Sequence, residues 1–288
     1  MRTQFFIAVM MLLMATVIGA ESPKDEQLYP QLNRGIIRLE HDETIQPEGA
    51  PKPIERTVPD GTAFFVACAN ELFIVTARHV AEKDYDLHAR VQCMNERTGQ
   101  TEVILLKLPR SKWVFHNLTG NQDTNYVDVA AMKLFGIKDR SVKCFNYELA
   151  GSSTPTKNQL PEGDPEPPRP LLVFGFPVDI GFELLEQRPL GRFGIISMKT
   201  EKRFIKVNGN KYAEERCMLI DARLFPGNSG SPVMSQPGLT EEIALFGLVI
   251  ATNNALDFGV IEPVSRIREV LDLAKNKPPT GEWMFLGK

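Results

Sequence analysis

The chain is 288 residues long, 43% hydrophobic and 24% charged, a balance that suits a folded globular protein and excludes an intrinsically disordered one. Its 33 lysines and arginines against 36 aspartates and glutamates leave a net charge of −3, which gives no electrostatic footing for a nucleic-acid partner. Glycine and proline, at 21 each, spread among short apolar runs and favour an all-β architecture.

The first expected element is a targeting segment. Arg2 supplies a positive start, residues 5–18 are uncharged and apolar, and Gly19-Ala20 offers small residues for cleavage before Glu21. Fourteen apolar residues are few for a bilayer, so residues 1–20 read as a cleaved export signal rather than an uncleaved anchor. No later segment is apolar for long enough to cross a membrane with a helix, so the exported chain, periplasmic or secreted, is expected to have no membrane partner.

Residues 21–34 read as a polar arm and residues 35–40 as a first strand, followed by a proline-bearing loop. Residues 61–68 and 72–76 are two strands joined by Ala69-Asn70-Glu71, and the second runs into His79. Further strand-like runs cover residues 102–108 and 127–134. Pro155, Pro161, Pro165, Pro167, Pro168 and Pro170 crowd residues 151–170, which predicts an extended connection between two halves. The second half begins at residues 171–174 and continues through 194–197. Asn208-Gly209 between Phe204-Ile205 and Tyr212 predicts a two-residue hairpin turn. Residues 218–222, 243–251 and 258–261 supply the last strands, and residues 264–275 form a helix with Val264, Ile267, Val270, Leu271 and Ala274 on one face.

The most telling stretch is Gly227-Asn228-Ser229-Gly230-Ser231-Pro232-Val233. A serine between glycines lets the backbone turn sharply, so that the hydroxyl projects and nearby N–H groups converge on one point. By itself the string also fits a structural turn. Two partners lie upstream. His79 follows the apolar run Leu72-Phe73-Ile74-Val75-Thr76, and Asp128 opens the run Val129-Ala130-Ala131-Met132. His79 alone reads as a histidine at a strand end, and Asp128 as a capping or solvent-facing acid with Asp123 as its competitor. The order His79, Asp128, Ser229 is what joins them.

Thr76-Ala77-Arg78-His79 resembles the Thr-Ala-Ala-His segment of the trypsin-like serine peptidases, Asp128-Val129-Ala130 their Asp-(Ile/Val)-Ala segment, and residues 227–232 their nucleophile loop. The resemblance covers residues 35–275. It implies two six-stranded antiparallel β-barrels, one over residues 35–150 and one over 171–262, with a cleft between them and a C-terminal helix. It implies a serine endopeptidase acting on a peptide or protein substrate. His79, Asp128 and Ser229 would be catalytic, and the N–H groups of Gly227 and Ser229 an oxyanion hole. No cofactor is implied. No cysteine has metal-ligand spacing and no His-Glu-x-x-His string occurs, so no metal is expected. The alternatives are a catalytically idle binding protein on the same fold, or an esterase using the same site.

Details place the chain near bacterial HtrA-type and glutamyl endopeptidase-type members. Asp221-Ala222 and Pro226-Gly227-Asn228-Ser229-Gly230 are similar to the former, and Ser231-Pro232-Val233 to the latter. Few residues follow the expected last helix, so the HtrA peptide-binding PDZ domain is expected to be missing. The histidine of the glutamyl endopeptidases is absent from Gly247-Leu248-Val249-Ile250. Ile250 takes the place of the Ser or Thr that supports the catalytic acid in other members, so either Thr252 serves through a shifted register or that support is absent. Val80 replaces the cysteine that follows the histidine in vertebrate members.

The resemblance also assigns the specificity pocket to Arg223, Leu224, Val249, Ala251 and Val260. Members that prefer Lys or Arg carry an acid six residues before the serine, and here that residue is Arg223. With Arg223 turned away, Leu224, Val249 and Val260 would favour aliphatic side chains, which is the preferred expectation; turned inward, Arg223 would favour acidic ones. Asn228 stands where zymogens carry an Asp that captures a new N-terminus, so activation by cleavage near Arg34-Gly35-Ile36-Ile37 is not expected. Of the four cysteines, Cys68, Cys93, Cys144 and Cys217, the pair Cys68–Cys93 is favoured because both fall in the first barrel; buried thiols are the alternative. Asn117-Leu118-Thr119 is a glycosylation sequon, and His41, His88 and His116 read as surface residues.

Overall fold

The computed structural model describes residues 35–47, 49, 52–68, 71–95, 99–116, 126–135, 142–144, 160–178, 188–207, 210–236, 243–253 and 257–285. The expected export signal, polar arm, sequon, Asp123 and the Asn208-Gly209 turn lie outside these residues, as do the side chains of Cys68 and Cys144.

The first half opens with a long hairpin, β1 (Ile36–Ile45) against β2 (Ile54–Cys68). The ladder runs well past the expected end of the first strand, because Pro59 is accommodated opposite Glu40 beside a register shift at Leu39/Glu40. Strand β3 (Glu71–Thr76) follows, then a single helical turn α1 (Arg78–Ala81). Next come β4 (Leu87–Asn95), β5 (Gln100–Leu108), β6 (Val114–Phe115), β7 (Ala130–Leu134) and β8 (Val142–Cys144).

The second half holds β9 (Arg169–Gly175), β10 (Leu190–Lys199), the hairpin β11 (Lys202–Val207) and β12 (Asn210–Glu215), then β13 (Met218–Asp221), β14 (Pro232–Ser235), β15 (Leu245–Asn253) and β16 (Phe258–Pro263). Helix α2 (Val264–Lys275) follows β16 without a break, and β17 (Glu282–Phe285) ends the described chain. No helix among the described residues is long and apolar enough to cross a membrane.

The expected all-β fold with a C-terminal helix is what the structure shows, and in the second half β10-β13-β16-β15-β14-β9 close into a six-stranded barrel. Leu171, Val173, Ile196, Ile220, Phe246 and Ile261 fill that barrel with apolar side chains. The first half is instead a curled nine-stranded sheet, ordered β17-β5-β4-β1-β2-β3-β7-β6 with β8 also on β4. The C-terminal tail adds to this sheet. Thr280 N–H donates to Lys133 O at 2.8 Å and Phe135 N–H to Thr280 O at 2.9 Å, while β17 pairs with Ile104–Lys107 of β5. The C-terminal segment therefore takes up backbone groups of β7 and of β5. Trp283 secures it by donating its indole N–H to Phe135 O at 2.8 Å and stacking on Phe65.

Helix α2 buries Val264, Ile267, Val270, Leu271 and Ala274, the face expected from the 3.6-residue period, and packs on β7, β15 and β16. Cys93 is disulfide-bonded, and the residue opposite it across the β4–β8 ladder is Cys144. Cys217 is buried in the second half.

Candidate active site

Strand β3 ends at Thr76, and the single turn of α1 aims His79 outward while Arg78, Val80 and Ala81 are buried. Arg78 anchors that turn. Its Nε and Nη2 donate to the Glu82 carboxylate at 3.0 and 2.9 Å, and its guanidinium lies over the rings of Phe115 and Tyr126. Burial disfavours the charged guanidinium, but Glu82 more than offsets this and holds it above its ordinary value.

Asp128 meets this turn at three points. Arg78 N–H donates to Asp128 O at 3.2 Å, His79 N–H donates to Oδ1 at 2.9 Å, and the His79 ring Nδ1 is 2.7 Å from Oδ2. Asp128 is buried, whereas the His79 side chain is 41% exposed. The main-chain N–H of Asp128 donates to Oε1 of Glu262 at 2.8 Å. Glu262 is fully buried on β16, so an acid from the second barrel holds the acid of the first half in place. Ile250, at the position from which other members support the acid, is a buried aliphatic residue.

The loop bearing Ser229 is fastened from both sides. Thr62 N–H donates to Ser229 O at 2.8 Å, and Thr62 Oγ1 donates to Gly227 O at 2.9 Å while accepting from Phe176 N–H at 3.0 Å. From β15, Val249 O accepts Gly230 N–H at 2.7 Å and Val249 N–H donates to Ser231 O at 2.9 Å. Gly230 adopts φ +85, and a Cβ there would lie 2.0 Å from Thr62 O, 2.4 Å from Thr76 Oγ1 and 3.1 Å from Ala77 N. Only glycine brings the Ser229 backbone this close to the segment that carries His79. Gly227, at φ +88, is equally confined by Phe176 O and Val178 N.

Inside the loop, Asn228 N–H donates to Phe225 O and Ser231 N–H to Asn228 O. Among the described residues no acceptor pairs with the N–H of Gly227 or of Ser229. Two unpaired donors flanking a serine can stabilise negative charge on an oxygen delivered to them. The Asn228 side chain is buried and occupied within the loop, accepting from Phe225 N–H at 3.0 Å and donating to Ser231 Oγ at 3.4 Å.

The residues assigned to the specificity pocket fall on β15, β16 and the segment before Ser229. Leu224 and Val249 belong to the barrel core, and Leu224 packs over Gly259. Val260 is buried opposite the half-buried Ala251, and Arg223 is exposed with its guanidinium 5.5 Å from the centre of the Phe225 ring. Thr62 and Glu262 escaped the sequence reading. Glu262 carried a signal, an acid within the otherwise apolar run of β16, and Thr62 offered only its place after Gly61. Among the described residues no group of three or more His, Cys, Asp or Glu side chains is placed to hold a metal ion.

An all-β fold with a histidine paired to a buried acid and a glycine-framed serine is the arrangement of the trypsin-like peptidase class. This chain belongs to the trypsin-like peptidase domain family, which it matches over residues 61–239. No curated protein matches it. Among solved structures it is similar to the HtrA-type protease AlgW with decapeptide, at 17% identity and a TM-score of 0.48, covering 85% of this chain and 65% of that one. It is similar to the protease domain of MamO from Magnetospirillum magneticum, at 14% identity and a TM-score of 0.47, covering 84% and 97%. The chain spans about two thirds, 65%, of the length of the AlgW chain.

Proposed function

We propose that this chain is an exported serine endopeptidase that cleaves peptide bonds through an acyl-enzyme on Ser229. The observation that carries the reading is the His79–Asp128 pair, at 2.7 Å, on a turn that abuts the Ser229 loop through Gly230. His79 takes the Ser229 proton as the hydroxyl attacks a peptide carbonyl, then gives it to the leaving amine. Asp128 holds the ring with Nδ1 protonated and stabilises the imidazolium. The carbonyl oxygen, negative in the tetrahedral intermediate, is received by the N–H groups of Gly227 and Ser229, each such donor contributing about 3–4 kcal/mol in comparable sites. Water then attacks the acyl carbon with His79 again as base. The peptide substrate lies between the curled sheet and the closed barrel, and residues 1–20 are removed on export.

A fluorophosphonate probe tests this on the full chain. Stoichiometric labelling that disappears in Ser229→Ala and His79→Ala, together with cleavage of an unfolded protein, is the expected result. No Ser229-dependent labelling would overturn it.

A further inference from the structure

The turn before Ser229 carries a charge arrangement that the acyl chemistry does not use. Arg192 on β10 and Arg223, six residues before Ser229, both place their guanidiniums over the ring of Phe225, at 4.5 and 5.5 Å from its centre. The backbone that carries that ring is tied to the nucleophile loop, because Phe225 N–H donates to Asn228 Oδ1 and Phe225 O accepts Asn228 N–H. Among the described residues neither guanidinium has an ion-pair partner, and Nε of Arg192 is buried with no hydrogen-bond partner. Burial, and then the nearby charge of Arg223, hold Arg192 below its ordinary value.

Two like charges lie over one aromatic ring here, near enough for Arg223 to act on Arg192, and among the described residues no carboxylate pairs with either. The quadrupole of a single ring attracts both cations without neutralising either. The group that completes such an arrangement is a planar anion with two acceptor oxygens, which guanidiniums bind in fork geometry. The aliphatic candidates that would compete for an apolar substrate side chain, Leu224 and Val249, are turned into the barrel core.

We propose that Arg192 and Arg223 form a carboxylate-recognition site over Phe225, which selects peptides with a Glu or Asp side chain on the acyl side of the scissile bond. This rests on Ser229 being the nucleophile, since that sets which substrate residue lies beside Phe225. A basic side chain is repelled, and the neutral amide of Gln forfeits the charge-assisted bonds. Arg223 is exposed over Phe225 rather than turned inward, and it is from there that it selects an acidic side chain.

The experiment reads binding apart from chemistry. Fluorescent peptides with blocked termini, identical except for Glu or Gln at the acyl-side position, are titrated into the full chain carrying Ser229→Ala and followed by anisotropy. The expected result is that the Glu peptide binds at least about tenfold more tightly, and that Arg223→Gln or Arg192→Gln erases the difference. Arg223 is exposed, so R223Q gives an answer even where R192Q fails to fold. Equal binding of the two peptides, no binding of the Glu peptide, or a preference unaltered in R223Q overturns the proposal. A Gln peptide with a free C-terminal carboxylate that matches the blocked Glu peptide overturns the assignment to a side chain. A Glu preference in a chain whose wild-type form shows no fluorophosphonate labelling would sink the peptidase reading and leave this site standing.

Discussion

The main-chain N–H of Asp128 donates to the buried carboxylate of Glu262 at 2.8 Å, which ties the acid of the first half to the last strand of the second barrel. Replacing Glu262 by Ala leaves a buried donor unpaired, at a cost of about 1–3 kcal/mol of stability. It also frees Asp128 to shift against His79. We expect kcat to fall at least about tenfold in Glu262→Ala, with KM little changed, because the group positions the acid and does not touch substrate. Glu262→Gln keeps an acceptor oxygen and should recover most of kcat. Equal losses in both variants would make the role of Glu262 one of general packing.

Asp128→Asn tests the tautomer argument. Asp128 accepts from both the backbone and the ring of His79, and an amide supplies one acceptor and one donor in that place. The expected outcome is a loss of about 10⁴-fold in kcat through the wrong imidazole tautomer. Steady-state kinetics on a peptide substrate, with thermal unfolding as a control for folding, measures it.

Thr62 holds the Ser229 loop through its hydroxyl as well as its backbone. In Thr62→Val the backbone bond to Ser229 O remains, while Gly227 O and Phe176 N–H lose their partner. Two unpaired buried groups should cost about 2–4 kcal/mol on unfolding in urea. The rate of fluorophosphonate labelling should fall about 10- to 100-fold, because Gly227 would no longer be held for the oxyanion. Thr62→Ser, which keeps the hydroxyl, should label at close to the wild-type rate.

The tail is part of the fold. Removing residues 280–288 exposes backbone groups of β5 and β7 and strips Trp283 from Phe65. A fall of roughly 5 °C or more in the unfolding midpoint is expected, together with self-association through the opened edges. Calorimetry and light scattering on the shortened chain report both effects. A midpoint within a degree of the full chain would show that β17 contributes nothing.

Glu40 sets part of the acid limit of stability. Burial opposes its ionisation, but the bond to His88 and the charges of Arg38 and Arg90 prevail, and its carboxyl is held below its ordinary value of 4.5. A depressed folded value means that this stabilisation is present above about pH 4.5 and is lost as pH falls through the folded value. In Glu40→Gln the stability should drop at neutral pH and decline less steeply below about pH 4.5, as measured by urea unfolding across that range.

What the sequence determined by itself is local or ordered along the chain. Glycines 227 and 230 around Ser229, the strand that runs into His79, and the order His79, Asp128, Ser229 needed no coordinates, because each depends on backbone freedom or on motif order. The helical face over residues 264–275 was equally legible from its period. The tertiary structure alone decided what depends on partners distant in sequence. Glu262 reaches Asp128 across 134 residues, and Thr62 reaches Gly227 across 165. Short strands such as β6 and β8 have too few residues to show a period, and β17 acquires its role only because β5 offers it an unpaired edge. Leu224 and Val249 were placed in a pocket by family likeness, and the structure packs both into the hydrophobic core cluster of the second half. Arg192 and Arg223 meet over the ring of Phe225, a juxtaposition that no spacing in the sequence foretold.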